Sequence, residues 1–199
     1  MKRIIVFIAC SFLVVGLHAQ TAIQVLDKTA AIVGRRGGAS AQFRISSAIY
    51  GSTSGSLAIK GRQFHARTPQ AWVWFNGKTQ WTYLKSTNEV NVSTPTQAKQ
   101  LTMNPMTFIN IYKTGFNSSI SKSGGDYVIH LVAQNKQRSI QELQITVNSV
   151  SYIPSMVKMR QERGWSTIHI SNFKPINQAN STFVFHAKDF PTVEVIDLR

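Results

Sequence analysis

Gly51-Ser52-Thr53-Ser54-Gly55 is the nearest approach in this sequence to the Gly-x-Ser-x-Gly elbow that presents a nucleophilic serine. That chemistry needs an activated serine at the centre and a sharp strand-to-helix turn. Thr53 holds the central position, and strand-like segments flank the motif on both sides, so it is expected to be a turn. Metal chemistry fares no better. After the N-terminal segment come His65, His130, His169 and His186, none with another His, Cys or carboxylate at a ligand spacing. The eight Asp and Glu residues are scattered and form no acid/base pair. No glycine-rich phosphate loop follows a strand. The residues therefore give no reason to expect an enzyme, a metal or a cofactor.

What the sequence has instead is aromatic density. Phe64, Trp72, Trp74, Phe75, Trp81 and Tyr83 fall within Gly55–Tyr83, which reads as three consecutive antiparallel strands. Asn76-Gly77 predicts a type I′ hairpin turn, which needs φ > 0 at both central residues. In the strand before it Ala71, Val73 and Phe75 share one face, and Trp72 and Trp74 the other. A strand with one wet face would alternate with polar residues. Both faces of this sheet are thus covered, or one lines an apolar cavity.

The rest of the chain must position that sheet. Residues 1–19 have the form of a secretory signal peptide: Lys2 and Arg3, an apolar run from Ile4 to Leu17, and Ala19 as a small residue for cleavage before Gln20. The run is short for a membrane span of about 20 residues. Cys10 is the only cysteine, so residues 20–199, read as a single domain, must be held by their core without a disulfide. Without Lys2 and Arg3 the 22 basic residues become 20 against 8 acidic ones, a net charge of +12. Nucleic acid is not expected as the partner of an exported chain with dispersed charge. A solvated surface, a weakly membrane-seeking face or an acidic protein partner accounts for the charge instead.

Ile23, Leu26, Ala30 and Val33 recur at helical spacing, predicting an amphipathic helix from Thr21 to about Arg36 that Gly37-Gly38 stops. Alternation at Ala41, Phe43 and Ile45 predicts a strand. Leu57 and Ile59 are out of phase with Phe64 and Ala66, which a bulge at Gly61 would repair. Thr94-Pro95-Thr96-Gln97 is a helix start, Asn104-Pro105 a second, and Gly115 an end. The helical segment Thr94–Tyr112 is apolar and methionine-rich, suited to ordinary core packing or to a movable lid. Further strands are expected at Asp126–Val132, Ser139–Val147, Ser155–Gln161, Trp165–Ser171 and Phe183–His186, with hairpins at Gly124-Gly125 and Glu162–Gly164. The pattern predicts a mainly β (α+β) chain: one curved antiparallel sheet with helices against its inner face.

In this order, a signal peptide, an amphipathic helix, a Gly-x-Leu-x-Ile-Lys strand at Gly55–Lys60 and the run Asn76–Tyr83 resemble the periplasmic outer-membrane lipoprotein carrier family, LolA. Asn104-Pro105 and the C-terminal runs Phe183–Phe185 and Val193–Asp197 add to the resemblance. It implies an incomplete, half-open antiparallel β-barrel whose helices cover a concave hydrophobic face. It further implies a periplasmic monomer without cofactor that carries acylated lipoproteins. The implied partners are an inner-membrane ABC-type lipoprotein-release complex and an outer-membrane acceptor. The fold is also used for lipid binding, lipoprotein sensing and acceptor roles. Residues expected at the acyl cavity are Leu57, Ile59, Phe64, Trp72, Trp74, Trp81, Tyr83, Met103, Met106, Phe108 and Ile109. Arg62 is the expected lid contact, although the family's Arg-Pro pair is here Gly61-Arg62 after Lys60.

Overall fold

The computed structural model describes residues 20–47, 51–96, 100 and 110–199. Helix α1 (Ala22–Val33) starts at Thr21, whose hydroxyl accepts from the Gln24 amide while the Gln24 side chain accepts from the Thr21 amide. This capping box satisfies two donors that helix geometry leaves without partners. The buried stripe is Ala22, Val25, Leu26, Thr29 and Val33. Ile23, expected on that stripe, is exposed. The helix ends before Gly37-Gly38, because the Gly34 amide caps it on the Ala30 carbonyl at 2.8 Å.

Among the described residues twelve strands form one sheet: β1 (Ala39–Ser47), β2 (Gly51–Lys60), β3 (Gln63–Arg67), β4 (Ala71–Phe75), β5 (Gln80–Leu84), β6 (Glu89–Ser93), β7 (Phe116–Ser123), β8 (Asp126–Ala133), β9 (Ile140–Asn148), β10 (Pro154–Gln161), β11 (Gly164–Lys174) and β12 (Glu194–Asp197). Their order is β12-β6-β5-β4-β3-β2-β1-β11-β10-β9-β8-β7. Neighbours are antiparallel except β12, which lies parallel on β6. The sheet does not close, so β12 and β7 are its edges. A mainly β, half-open barrel with a helix on its concave face is what this arrangement amounts to.

Several local expectations give way to pairing. Residues 51–55 are the first half of β2, in register with β1 from Ser47↔Gly51 to Phe43↔Gly55. They do not form a turn. Gly55 is needed there: a Cβ would meet the Arg67 carbonyl at 2.0 Å and the Phe43 ring at 2.8 Å. Gly61 is not a bulge but part of a two-residue turn, with φ +56° and Lys60 paired to Gln63. The chain reversal restores the phase, since Ile59↔Phe64 and Leu57↔Ala66 are cross-strand partners on one face. The Asn76-Gly77 hairpin has a four-residue loop between Phe75 and Gln80, not a type I′ pair. The Asn76 side chain accepts from the Lys78 and Thr79 amides at 3.0 and 2.8 Å, so it shapes the turn itself. Phe183–His186 is not a strand; a one-turn helix covers Asn180–Phe183.

Two buried clusters sit on the concave face. The first joins Ala22, Val25 and Leu26 of α1 to Ile129, Leu131, Leu143, Ile145 and Val147 of β8 and β9. The second joins Val33 at the helix end to Ala39, Ile59, Phe64 and Phe75. In sheet order β11 and β10 lie between the strands that supply their buried residues. The helix is therefore anchored on both flanks of the sheet and bridges its middle. The short helix Ile111–Lys113 is tied to α1 where the Tyr112 hydroxyl donates to Asp27. Burial, and then the Asp27 carboxylate, push that phenol's pKa well above its ordinary value. Of the expected helical segment Thr94–Tyr112, residues Leu101, Met103, Met106, Phe108 and Ile109 lie outside the described residues.

Candidate functional site: a cavity between the helix and the sheet

Strand alternation turns Ala39, Ala41, Phe43, Ile45 and Ser47 of β1 toward the helix. β11 contributes Ile168, Ile170 and Phe173, and β10 contributes Val157 and Met159. Leu57 and Ile59 of β2 face the same way, as do Leu26, Thr29 and Val33 from α1. Together these residues line a half-open cavity of about 520 Å³. That is within the range of about 300–1,000 Å³ found for small-molecule sites. Its wall is mostly aliphatic, with two phenyl rings and a few uncharged polar side chains, and no charged side chain lines it among the described residues. Such a lining attracts hydrocarbon and offers nothing for acid/base or metal chemistry. Among the described residues no group of three His, Cys, Asp or Glu side chains comes together.

The aromatic residues expected at the cavity divide between two faces. Leu57 and Ile59 line it, and Phe64 packs on Ile59 and Phe75 beside it. Trp72, Trp74, Trp81 and Tyr83 lie on the opposite, convex face, because Trp74↔Trp81 and Trp72↔Tyr83 are out of phase with Phe75 and Val73. For these four the expected cavity position does not hold. Trp72, Trp74 and Tyr83 are covered by the chain after β11. Phe190 packs edge-on against Trp72 and Trp74 at 5.6 and 5.7 Å, and Phe185 against Trp74 at 5.5 Å. Phe183, fully buried, belongs to the turn seated on β3 and β4. Lys60 fastens this segment by donating to the Gln178 carbonyl and Asn180 Oδ1 at 2.9 and 2.8 Å. Cross-strand pairing alone makes the two faces distinct; composition cannot.

His65 lies under the same cover, stacked on Trp74 at 4.8 Å. It is buried, and its Nε2 accepts from Arg67 Nε at 3.1 Å. Burial, reinforced by the Arg67 charge and opposed by a hydrogen bond with the Thr182 backbone, pushes its pKa from 6.5 down to about 4. The unfolded chain binds a proton near pH 6.5, the folded one only near 4. Stability is thus full above pH 6.5 and is lost as pH falls through that window. After allowance for solvent screening the loss is about 1–3 kcal/mol. Urea midpoints at about pH 7 and about pH 4.5 measure it, and His65→Gln should flatten this part of the profile.

Arg62 is exposed in the β2–β3 turn, and its Nη2 donates to Gln100 Oε1 at 2.9 Å. The Gln100 amide side chain in turn donates to the Pro95 carbonyl at 2.9 Å. The Arg62 guanidinium therefore reaches a residue of the expected helical segment. The convex face of the sheet carries Arg44, Arg67, Lys158, Arg160 and Lys174, spread over several strands rather than clustered. A second hollow on that side, about 580 Å³, has a mixed wall that includes Ser56, Gln42 and Asn172 beside Ala58 and Ile176.

The family model described as outer membrane lipoprotein carrier protein LolA matches residues 13–163. The chain belongs to this family. The match takes in the helix, β1–β10 and most of the cavity wall, and leaves β11 and the aromatic cover outside it. No curated protein sequence matches the chain. Among solved structures, an uncharacterized conserved protein from Thermus thermophilus superposes with a TM-score of 0.60 at 13% identity, over 88% of this chain and 98% of that one. That likeness carries the fold. A LolA superfamily protein from Nitrosomonas europaea aligns at 10% identity and a TM-score of 0.45, over 84% of this chain and 99% of that one. A putative outer membrane lipoprotein-sorting protein domain from Vibrio parahaemolyticus aligns at 14% identity and a TM-score of 0.44, over 85% and 97%. The LolA family is described by a carrier activity rather than a catalytic one.

Proposed function

We propose that this protein carries acylated lipoproteins through the periplasm, holding an acyl chain in the cavity between α1 and the sheet. The observation that supports this reading is the apolar, uncharged cavity of about 520 Å³ beneath α1 in a member of this family. The physical need is plain. Each buried methylene contributes about 0.8 kcal/mol, so a chain of about 16 carbons left in water costs on the order of 10 kcal/mol. A diffusing carrier must cover that surface and still let go of it, and a smooth aliphatic wall with few polar contacts suits both demands. In this reading residues 1–19 direct export and are removed near Ala19. The monomer is loaded by an inner-membrane ABC-type release complex and unloads to an outer-membrane acceptor.

The test is capture. Purified protein is mixed with membranes containing a triacylated lipoprotein and an active release complex. A soluble one-to-one complex supports the carrier reading. Binding of acyl compounds without capture of the lipoprotein would instead make this a lipid-binding or sensing member of the fold.

Arg62 is proposed to hold the helical segment closed through Gln100. A planar guanidinium with five donors suits such a fixed contact. Arg62→Leu should load cargo but transfer it to acceptor membranes several-fold more slowly, because reclosing helps to expel the chain. As an exposed substitution it should alter stability by less than about 0.5 kcal/mol. Transfer at the wild-type rate removes the role.

A further inference from the structure

The cavity wall changes character along its length. Around Val33, Ala39 and Ile59 it is hydrocarbon, backed by Phe64 and Phe75. Toward the far ends of β1 and β10 it presents Ser47, Ser166 and Gln161. Ser47 and Ser166 are cross-strand partners, and Ser166 is buried. Two other polar residues at the wall, Thr29 and Gln42, are directed elsewhere. The Thr29 hydroxyl donates to the Val25 carbonyl at 3.0 Å, and the Gln42 side chain accepts from Asn172 at 2.7 Å on the convex side.

A fatty acid drawn into this site would bring a carboxylate to a place where no cation lines the wall among the described residues. An unpaired buried carboxylate is costly, by several kcal/mol even after relaxation. An ester or amide carbonyl asks for much less: a single donor, which the Gln161 amide or the Ser166 hydroxyl can supply. We infer that the cavity takes acyl chains ending in a neutral ester or amide and rejects free fatty acids. The polar linkage sits at Ser47, Gln161 and Ser166, and the methyl end lies under the end of α1. The inference rests on the acyl-binding reading and adds a selectivity to it.

The experiment is displacement of N-phenyl-1-naphthylamine at about pH 8 by monomyristoylglycerol and by myristate, which share one chain. The ester is expected to displace the probe at least about tenfold more effectively than the carboxylate. Gln161→Lys, which keeps a similar side-chain length and adds a cation at the polar end, should reverse that order. Equal displacement by both ligands overturns the selectivity and leaves acyl binding standing. A variant that still rejects myristate overturns the placement of the polar end. Failure of both ligands against a bound probe overturns acyl binding itself, and this inference with it.

Discussion

Ala41→Trp is expected to weaken acyl binding by about two to three decades in a protein that still folds. Ala41 is half-buried on β1, opposite Leu57, and faces the hydrocarbon part of the cavity. An indole there takes the space of about four or five methylenes of ligand, each contributing about 0.8 kcal/mol. The loss is therefore about 3–4 kcal/mol, a drop of two to three decades in affinity. The fold should tolerate the change because the new ring enters a hollow rather than a packed core, where overpacking costs about 1–3 kcal/mol. Titration with an acylated peptide gives the affinity, and urea unfolding gives the stability. Near wild-type affinity would mean that the chain binds elsewhere.

Phe183→Ala should act in the opposite sense, costing stability and sparing the ligand. Phe183 is fully buried where the chain crosses β3 and β4 on the convex face. Truncating such a ring costs about 3–5 kcal/mol, part of it for the cavity left behind. The aromatic cover formed by Phe185 and Phe190 loosens with it, and Trp72 and Trp74 gain solvent, which red-shifts their emission. The acyl cavity is on the other side of the sheet, so affinity under folding conditions should change no more than a few-fold. A stable variant, or one that loses ligand in proportion to stability, contradicts the separation of the two faces.

Much of this architecture is legible in the sequence, and the failures share a cause. The strands after Gly115 announce themselves by alternation and by glycine turns, and β8 to β11 fall close to their expected limits. The helix is legible too, but its buried stripe is not, because Ile23 is as apolar as Val25 and only the neighbouring strands distinguish them. What a single strand does not encode is its partner. Trp72 and Trp74 alternate with Val73 and Phe75, so one face must hold the tryptophans, but only the register Phe64↔Phe75 and the seating of Phe183–Phe190 decide which face is concave. The same blindness to pairing makes Gly61 look like a bulge and residues 51–55 like a turn. At the site, the strand motif points to Leu57 and Ile59, whereas nothing points to Phe43, Ile168, Ile170 and Phe173. They are ordinary alternating residues, and nothing local separates a cavity wall from a packed core.

Photolabelling locates the ligand without assuming a role for any residue. A lipopeptide with a diazirine near the middle of its acyl chain is bound, irradiated and mapped by mass spectrometry of the digested protein. Labels should fall in residues 39–47, 157–159 and 164–174, and Ala41→Trp should remove them. Labels confined to residues 72–83 and 183–190 would put the chain on the convex face and contradict the assignment of the cavity beneath α1.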